Sequence, residues 1–259
     1  MADHNSRPEE KGGEHKCEKK ALAIRKIECL LGQQRLQPDS GTIQKVLSIV
    51  NDTCAELVDF GQRVTEPQVL RAIAEAVAHT TKLKALALRH TGMRAAECVA
   101  IAQALRSNTS VTWLDLSANA FGDEGAKAIA EMLKHSNTIA CLDLSTNSIG
   151  KEGGKAIGEA LVHNASLANL NLSDNNVGDE AASAFCPVLK HNQAITHMNL
   201  KDNNIGPEAG RALLTALQDN QALQQLDMFN KTIRHSASFA RLLATTHHKR
   251  PQISVRFSS

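Results

Sequence analysis

The stretch WLDLSANAFGDEGAKAIAEMLKHSNTIA (Trp113–Ala140) is followed without a gap by CLDLSTNSIGKEGGKAIGEALVHNASLA (Cys141–Ala168), and the two share length, order and most apolar positions. The 28-residue step continues in both directions. From Leu114 it lands on Leu86, Leu142, Leu170, Met198 and Leu226. Two residues later it gives Leu88, Leu116, Leu144, Leu172, Leu200 and Met228. Three residues before Leu114 it gives Leu83, Val111, Ile139, Leu167, Ile195 and Leu223 in the same way. Six units hold one register, which is the sequence signature of a stacked-repeat architecture.

Each unit has two halves with different periods. Leu114 and Leu116 alternate with Trp113, Asp115 and Ser117, which predicts a short strand with one buried face. In EGAKAIAEML, Ala128, Ile129, Met132 and Leu133 share one face of a helix. Gly122, Gly150, Gly178 and Gly206 fall at the expected N-cap. Pro67 and Pro207 fall one step inside the helix, where a missing N–H has no helical partner to lose. Asn119, Asn147, Asn175 and Asn203 stand between strand and helix. A short amide there can bond the backbone of its own turn and of the next repeat, forming a ladder. The ladder is expected to stop where Thr91 and Lys231 replace Asn, since terminal repeats lack one neighbour.

Composition agrees with many thin layers. Of 259 residues, 42% are hydrophobic but only 3% aromatic, with one Trp and no Tyr, so the core must be aliphatic. A net charge of +2 is too balanced to point to nucleic acid or a membrane surface. No apolar run reaches the roughly 18 residues a membrane span needs. The first twenty residues are polar, without an apolar signal core. The six cysteines are scattered, with no Cys-x-x-Cys pair, as expected of reduced thiols rather than zinc ligands. These features predict a cytoplasmic rather than a secreted protein.

The phrase LxxLDLSxNxIGxEGxKAIAEAL is carried in the second quoted unit by Ile139, Leu142, Leu144, Asn147, Ile149, Gly150, Ala156, Ile157 and Leu161. It resembles the leucine-rich repeat of the ribonuclease-inhibitor class. The resemblance covers about 83–231. It implies an α/β fold: a right-handed curved solenoid of 28-residue repeats, with a parallel β-sheet on the concave face and α-helices on the convex face. The family shares a scaffold more than a function.

The ends extend the pattern. Val58 and Phe60 lie one period before Leu86 and Leu88, so the repeats are read as 55–231 with a degenerate first unit. Residues 16–54 are expected to form a helical N-terminal cap, with Ile24, Ile27 and Leu31 on one face of its first helix. The alternative is an amphipathic helix that binds a partner. Residues 1–15 are expected to be disordered. Ile253, Val255 and Phe257 alternate, which predicts a final strand outside the 28-residue register in a C-terminal cap, 232–259.

Chemistry is hard to place on this framework. His79, His135, His163, His191 and His247 share a column, but at helix C-termini packed roughly 8–10 Å apart they could not easily share an ion held at about 2 Å. They read as polar residues at the negative ends of helix dipoles. IGKEGGKAIG has a Gly-Lys pair, but Ile149 and Ala156 stand where a phosphate loop needs Gly and Ser or Thr. No nucleophile elbow or His-Glu-x-x-His occurs. Asp115 and Asp143 sit on adjacent strands, but Asp belongs to the ordinary repeat phrase. No metal, cofactor or catalytic residue is predicted.

What remains is the outward strand surface. Its candidate protein-binding residues are Arg89, Trp113, Asp115, Asp143, Asn171, His197, Asn199, Lys201, Asp227 and Phe229. Trp and Arg are favoured at interface hot spots, and Trp113 is the only Trp. Six strands about 4.8 Å apart give a floor on the order of 250 Å². That is below the roughly 800 Å² per partner of a standard interface, so flanking turns must contribute. The expectation is a non-enzymatic protein-interaction scaffold or adaptor in a cytoplasmic or cytoskeletal assembly, ciliary or axonemal ones included. Its partners are proteins, not nucleic acid or membrane. Two alternatives follow from the resemblance: a GTPase activator like the Ran regulator, or an actin-capping protein like tropomodulin. The basic end HHKRPQISVRFSS departs from the acidic tail of the first, and the long N-terminal part of the second is missing here.

Overall fold

The computed structural model describes residues 21–31, 40–61, 66–228, 241–246 and 253–256. The expectations for residues 1–15, Phe229, Lys231, His247 and Phe257 lie outside them. Helix α1 spans 21–31 and α2 spans Ser40–Val50. Seven strands then alternate with helices: β1 (Leu57–Asp59), α3 (Pro67–His79), β2 (Ala85–Ala87), α4 (Ala95–Leu105), β3 (Trp113–Asp115) and α5 (Gly122–His135). The series continues with β4 (Cys141–Asp143), α6 (Lys151–Leu161), β5 (Asn169–Asn171), α7 (Gly178–His191), β6 (His197–Asn199), α8 (Pro207–Leu217) and β7 (Gln225–Asp227). Helix α9 (241–246) and strand β8 (Ser254–Arg256) follow.

All eight strands form one open parallel sheet in chain order. Each of the first six pairings joins residues 28 apart, from Val58↔Leu86 to Met198↔Leu226. The last, Leu226↔Val255, joins residues 29 apart. Each helix from α2 to α8 packs on the next. The sheet therefore lines one face of an α/β solenoid and the helices line the other, as the resemblance implied.

The core is a continuous aliphatic layer between the two faces. The columns Leu83–Leu223, Leu86–Leu226 and Leu88–Met228 are all buried, and Phe60, Phe121 and Phe185 fill the remaining bulk. Val58 and Phe60 join this layer, and so do Ala23 and Ile27 of α1. The predicted α1 face needs correcting here. Ala23 and Ile27 carry the burial, while Ile24 and Leu31 lie at its margin.

The amide ladder is present and continuous. Asn147 Nδ2 donates to the carbonyls of Leu116, Leu144 and Ser145, and its Oδ1 accepts the Asn119 N–H. Asn175 repeats this one unit on, accepting the Asn147 and Ile149 N–H groups. Thr91 occupies the last described rung: its N–H and hydroxyl both donate to Asn119 Oδ1, and its hydroxyl also meets the Leu88 carbonyl of its own turn.

A second ladder, not anticipated, runs along the opposite edge through Thr80, Asn108, Ser136, Asn164, Asn192 and Asn220, all buried. Asn108 Nδ2 donates to the Val77 and Thr80 carbonyls of the preceding repeat, and Asn164 does the same to Leu133 and Ser136. The side-chain oxygens accept N–H groups of the next turn, as Asn108 does from Ser110 and Val111. Last-turn carbonyls of α3, α5 and α6, at Val77, Leu133 and Leu161, are satisfied this way where the helix itself offers no partner.

The glycine column also needs correcting. Gly150 and Gly206 are N-caps of α6 and α8, but Gly122 and Gly178 are the first residues of α5 and α7, with φ of +57° and +70°. Gly92, Ser148 and Asn204 take left-handed conformations at another column, again 56 residues apart. Successive repeats therefore alternate between two turn forms. At the two extended glycine N-caps a carboxylate from the previous helix caps the helix: Asp123 accepts the Gly150 and Gly153 N–H groups at 2.7 and 2.9 Å. Asp179 accepts the Gly206 N–H likewise.

Candidate protein-binding face

The outward strand positions form two rows across the sheet. One runs Leu57, Ala85, Trp113, Cys141, Asn169, His197, Gln225; the other runs Asp59, Ala87, Asp115, Asp143, Asn171, Asn199, Asp227. A groove of about 380 Å³ lies along these rows from β3 to β7. Of the predicted residues, Trp113, Asp143, Asn171, His197, Asn199 and Asp227 line it.

The other four do not. Asp115 is only 7% exposed, so the expectation of an accessible carboxylate there is corrected. Arg89 pairs with Asp59 at 3.2 Å, beyond the groove. Lys201 pairs with Asp202 at 3.6 Å on the rim. Phe229 lies outside the described residues. Cys141, Asn169 and Gln225 also line the groove, although they were not selected from the sequence. Their positions in the repeat placed them outward, but nothing in their residue types marked them as binding groups. Leu57 was missed altogether. It is 57% exposed, and its one signal is its place 28 residues before Ala85.

The Asp/Asn row has a local structural task. Asp143 Oδ1 accepts the Ser145 N–H at 2.9 Å and its hydroxyl at 2.6 Å, and Asp115 does the same for Ser117. Asn171 accepts from the Ser173 N–H, Asn199 from Lys201 and Asp59 from Gly61. In four repeats these bonds hold the chain as it leaves the strand and enters the left-handed residues Ala118, Thr146, Asp174 and Asp202, with φ of 52–56°. Asp and Asn serve equally, because both offer one oxygen at the same place. Their second polar atom is left for the groove. Asp143 Oδ2 accepts from Asn171 Nδ2, and Asp227 Oδ2 from Gln225 Nε2.

Neighbouring carboxylates are tied to turn N–H groups, and no described serine or cysteine on the face has a basic partner. Cys141 Sγ accepts a hydrogen bond from Asn169. The Cys98 thiol is held neutral by burial, far from the face. His79, His135 and His191 sit in last helical turns, where His135 bonds Glu131 and Arg106. Among the described residues no group of three or more His, Cys, Asp or Glu could hold a metal. The α6 N-terminus, where the Gly-Lys motif lies, is filled by the Asp123 carboxylate. No described helix is long and apolar enough to cross a membrane.

Four consecutive stretches, 107–130, 135–158, 163–186 and 191–214, match the family model described as Leucine Rich repeat. No curated protein matches the chain significantly. Among solved structures, the tropomodulin C-terminal domain of Caenorhabditis elegans is similar, with 16% identity and a TM-score of 0.50 over 70% of this chain and 93% of that one. The likeness is one of fold. Leiomodin-1 actin-binding site 2 aligns with 20% identity and a TM-score of 0.38, over 83% of this chain and 94% of that one. An internalin from Listeria monocytogenes aligns with 15% identity and a TM-score of 0.45, over 84% of this chain and 64% of that one. Repeat length, parallel strands in register and the family match agree: residues 107–214 carry leucine-rich repeats, and the described strands and helices have the α/β solenoid fold that such repeats build.

Proposed function

We propose that this chain is a non-enzymatic interaction scaffold that holds a protein partner in the groove along β3–β7. The observation that carries this reading is the groove itself. It is open, walled at one end by the only Trp, floored by amide, imidazole and carboxylate groups, and without a nucleophile–base pair. Such a lining suits recognition by hydrogen bonds and one aromatic anchor. The floor alone is smaller than a standard interface, so the reading includes the rim turns at Thr146, Asp174 and Asp202. A cytoplasmic assembly, cytoskeletal or ciliary, is the proposed setting. The fold is similar to the tropomodulin C-terminal domain, and actin capping was one alternative that the repeat resemblance implied, so actin belongs in the test set.

The test is a paired capture from native lysate with purified actin as a separate arm. One bait is wild type, one carries Trp113→Ala with Asn199→Arg, and one carries Lys155→Glu on α6. Each is first checked for unchanged far-UV circular dichroism. The groove variant is expected to lose the partner and the helix variant to keep it. Loss only with the helix variant would move the function to the convex face.

A further inference from the structure

We draw no further inference here: the strongest candidate, the groove of about 420 Å³ on the helical side between α1, α3 and α4, is lined mainly by the small residues Ala74, Ala78, Ala100 and Ala104 with Leu30 beside them, and nothing in the structure shows what covers it.

Discussion

Asn175→Ala should destabilise the solenoid more than Asn147→Ala, even though Asn147 is fully buried and Asn175 is 8% exposed. The reason is what each side chain leaves behind. The three carbonyls served by Asn175 Nδ2 all keep a second donor: Leu144 has Asn147 Nδ2, Leu172 has Asn203 Nδ2 and Ser173 has the Thr146 N–H. The carbonyls served by Asn147 keep donors too, from Asn119, Asn175 and the Ala118 N–H. The acceptor side differs. Asn175 Oδ1 takes two buried N–H groups, from Asn147 and Ile149, whereas Asn147 Oδ1 takes one, from the partly buried Asn119. An orphaned buried N–H costs about 1–3 kcal/mol. The loss should be about 3–5 kcal/mol for Asn175→Ala and about 1–3 for Asn147→Ala, a difference of about 2 kcal/mol. Urea denaturation measures both, with an unchanged m value confirming that the whole solenoid still unfolds as one unit. Equal losses, or a larger loss at Asn147, would refute the donor-by-donor reasoning and favour burial as the controlling quantity.

Other expectations follow from the same contacts. Asp123→Ala should cost about 1 kcal/mol by uncapping α6, and Asp123→Asn much less, as read by thermal melting. Gly158→Ala should cost more than Gly122→Ala. A Cβ at 158 would meet the Ala184 backbone at 3.0 Å, whereas one at 122 would meet only the Ser148 carbonyl at 3.9 Å, besides the strain of φ +57°. Burial raises the Cys98 pKa, so the thiol stays protonated in the folded chain where the unfolded chain ionises. Folding stability should therefore be intact below about pH 9 and fall above it, by up to about 1.4 kcal/mol per pH unit. Denaturation at pH 8 and pH 10 tests this, and Cys98→Ala should flatten the difference.

The strand–helix alternation and the register were legible because they rest on apolar residues recurring at a fixed step, and burial of an aliphatic column is a property of the column. The second amide ladder was legible in principle: Asn108, Asn164, Asn192 and Asn220 form a column as regular as the first. It was missed because Thr80 and Ser136 interrupt it with smaller side chains that occupy the same buried edge. The alternating turns were hidden because Gly122, Gly150, Gly178 and Gly206 are identical in sequence, yet two of the four have positive φ. Residue type permits that conformation at glycine without requiring it. At the candidate site, repeat position placed Trp113, Asp143, Asn171, His197, Asn199 and Asp227 outward, and the groove unites them. Burial of Asp115 and the Arg89–Asp59 pair depend on how neighbouring repeats meet, which a single unit's pattern does not encode.

The claim that the groove is the working surface is tested most directly by site-specific photocrosslinking to the captured partner. A photoreactive residue is placed at Asn199 in the groove and, separately, at Lys155 on α6. The account predicts partner adducts from position 199 and none from position 155. Adducts from position 155 alone would contradict it.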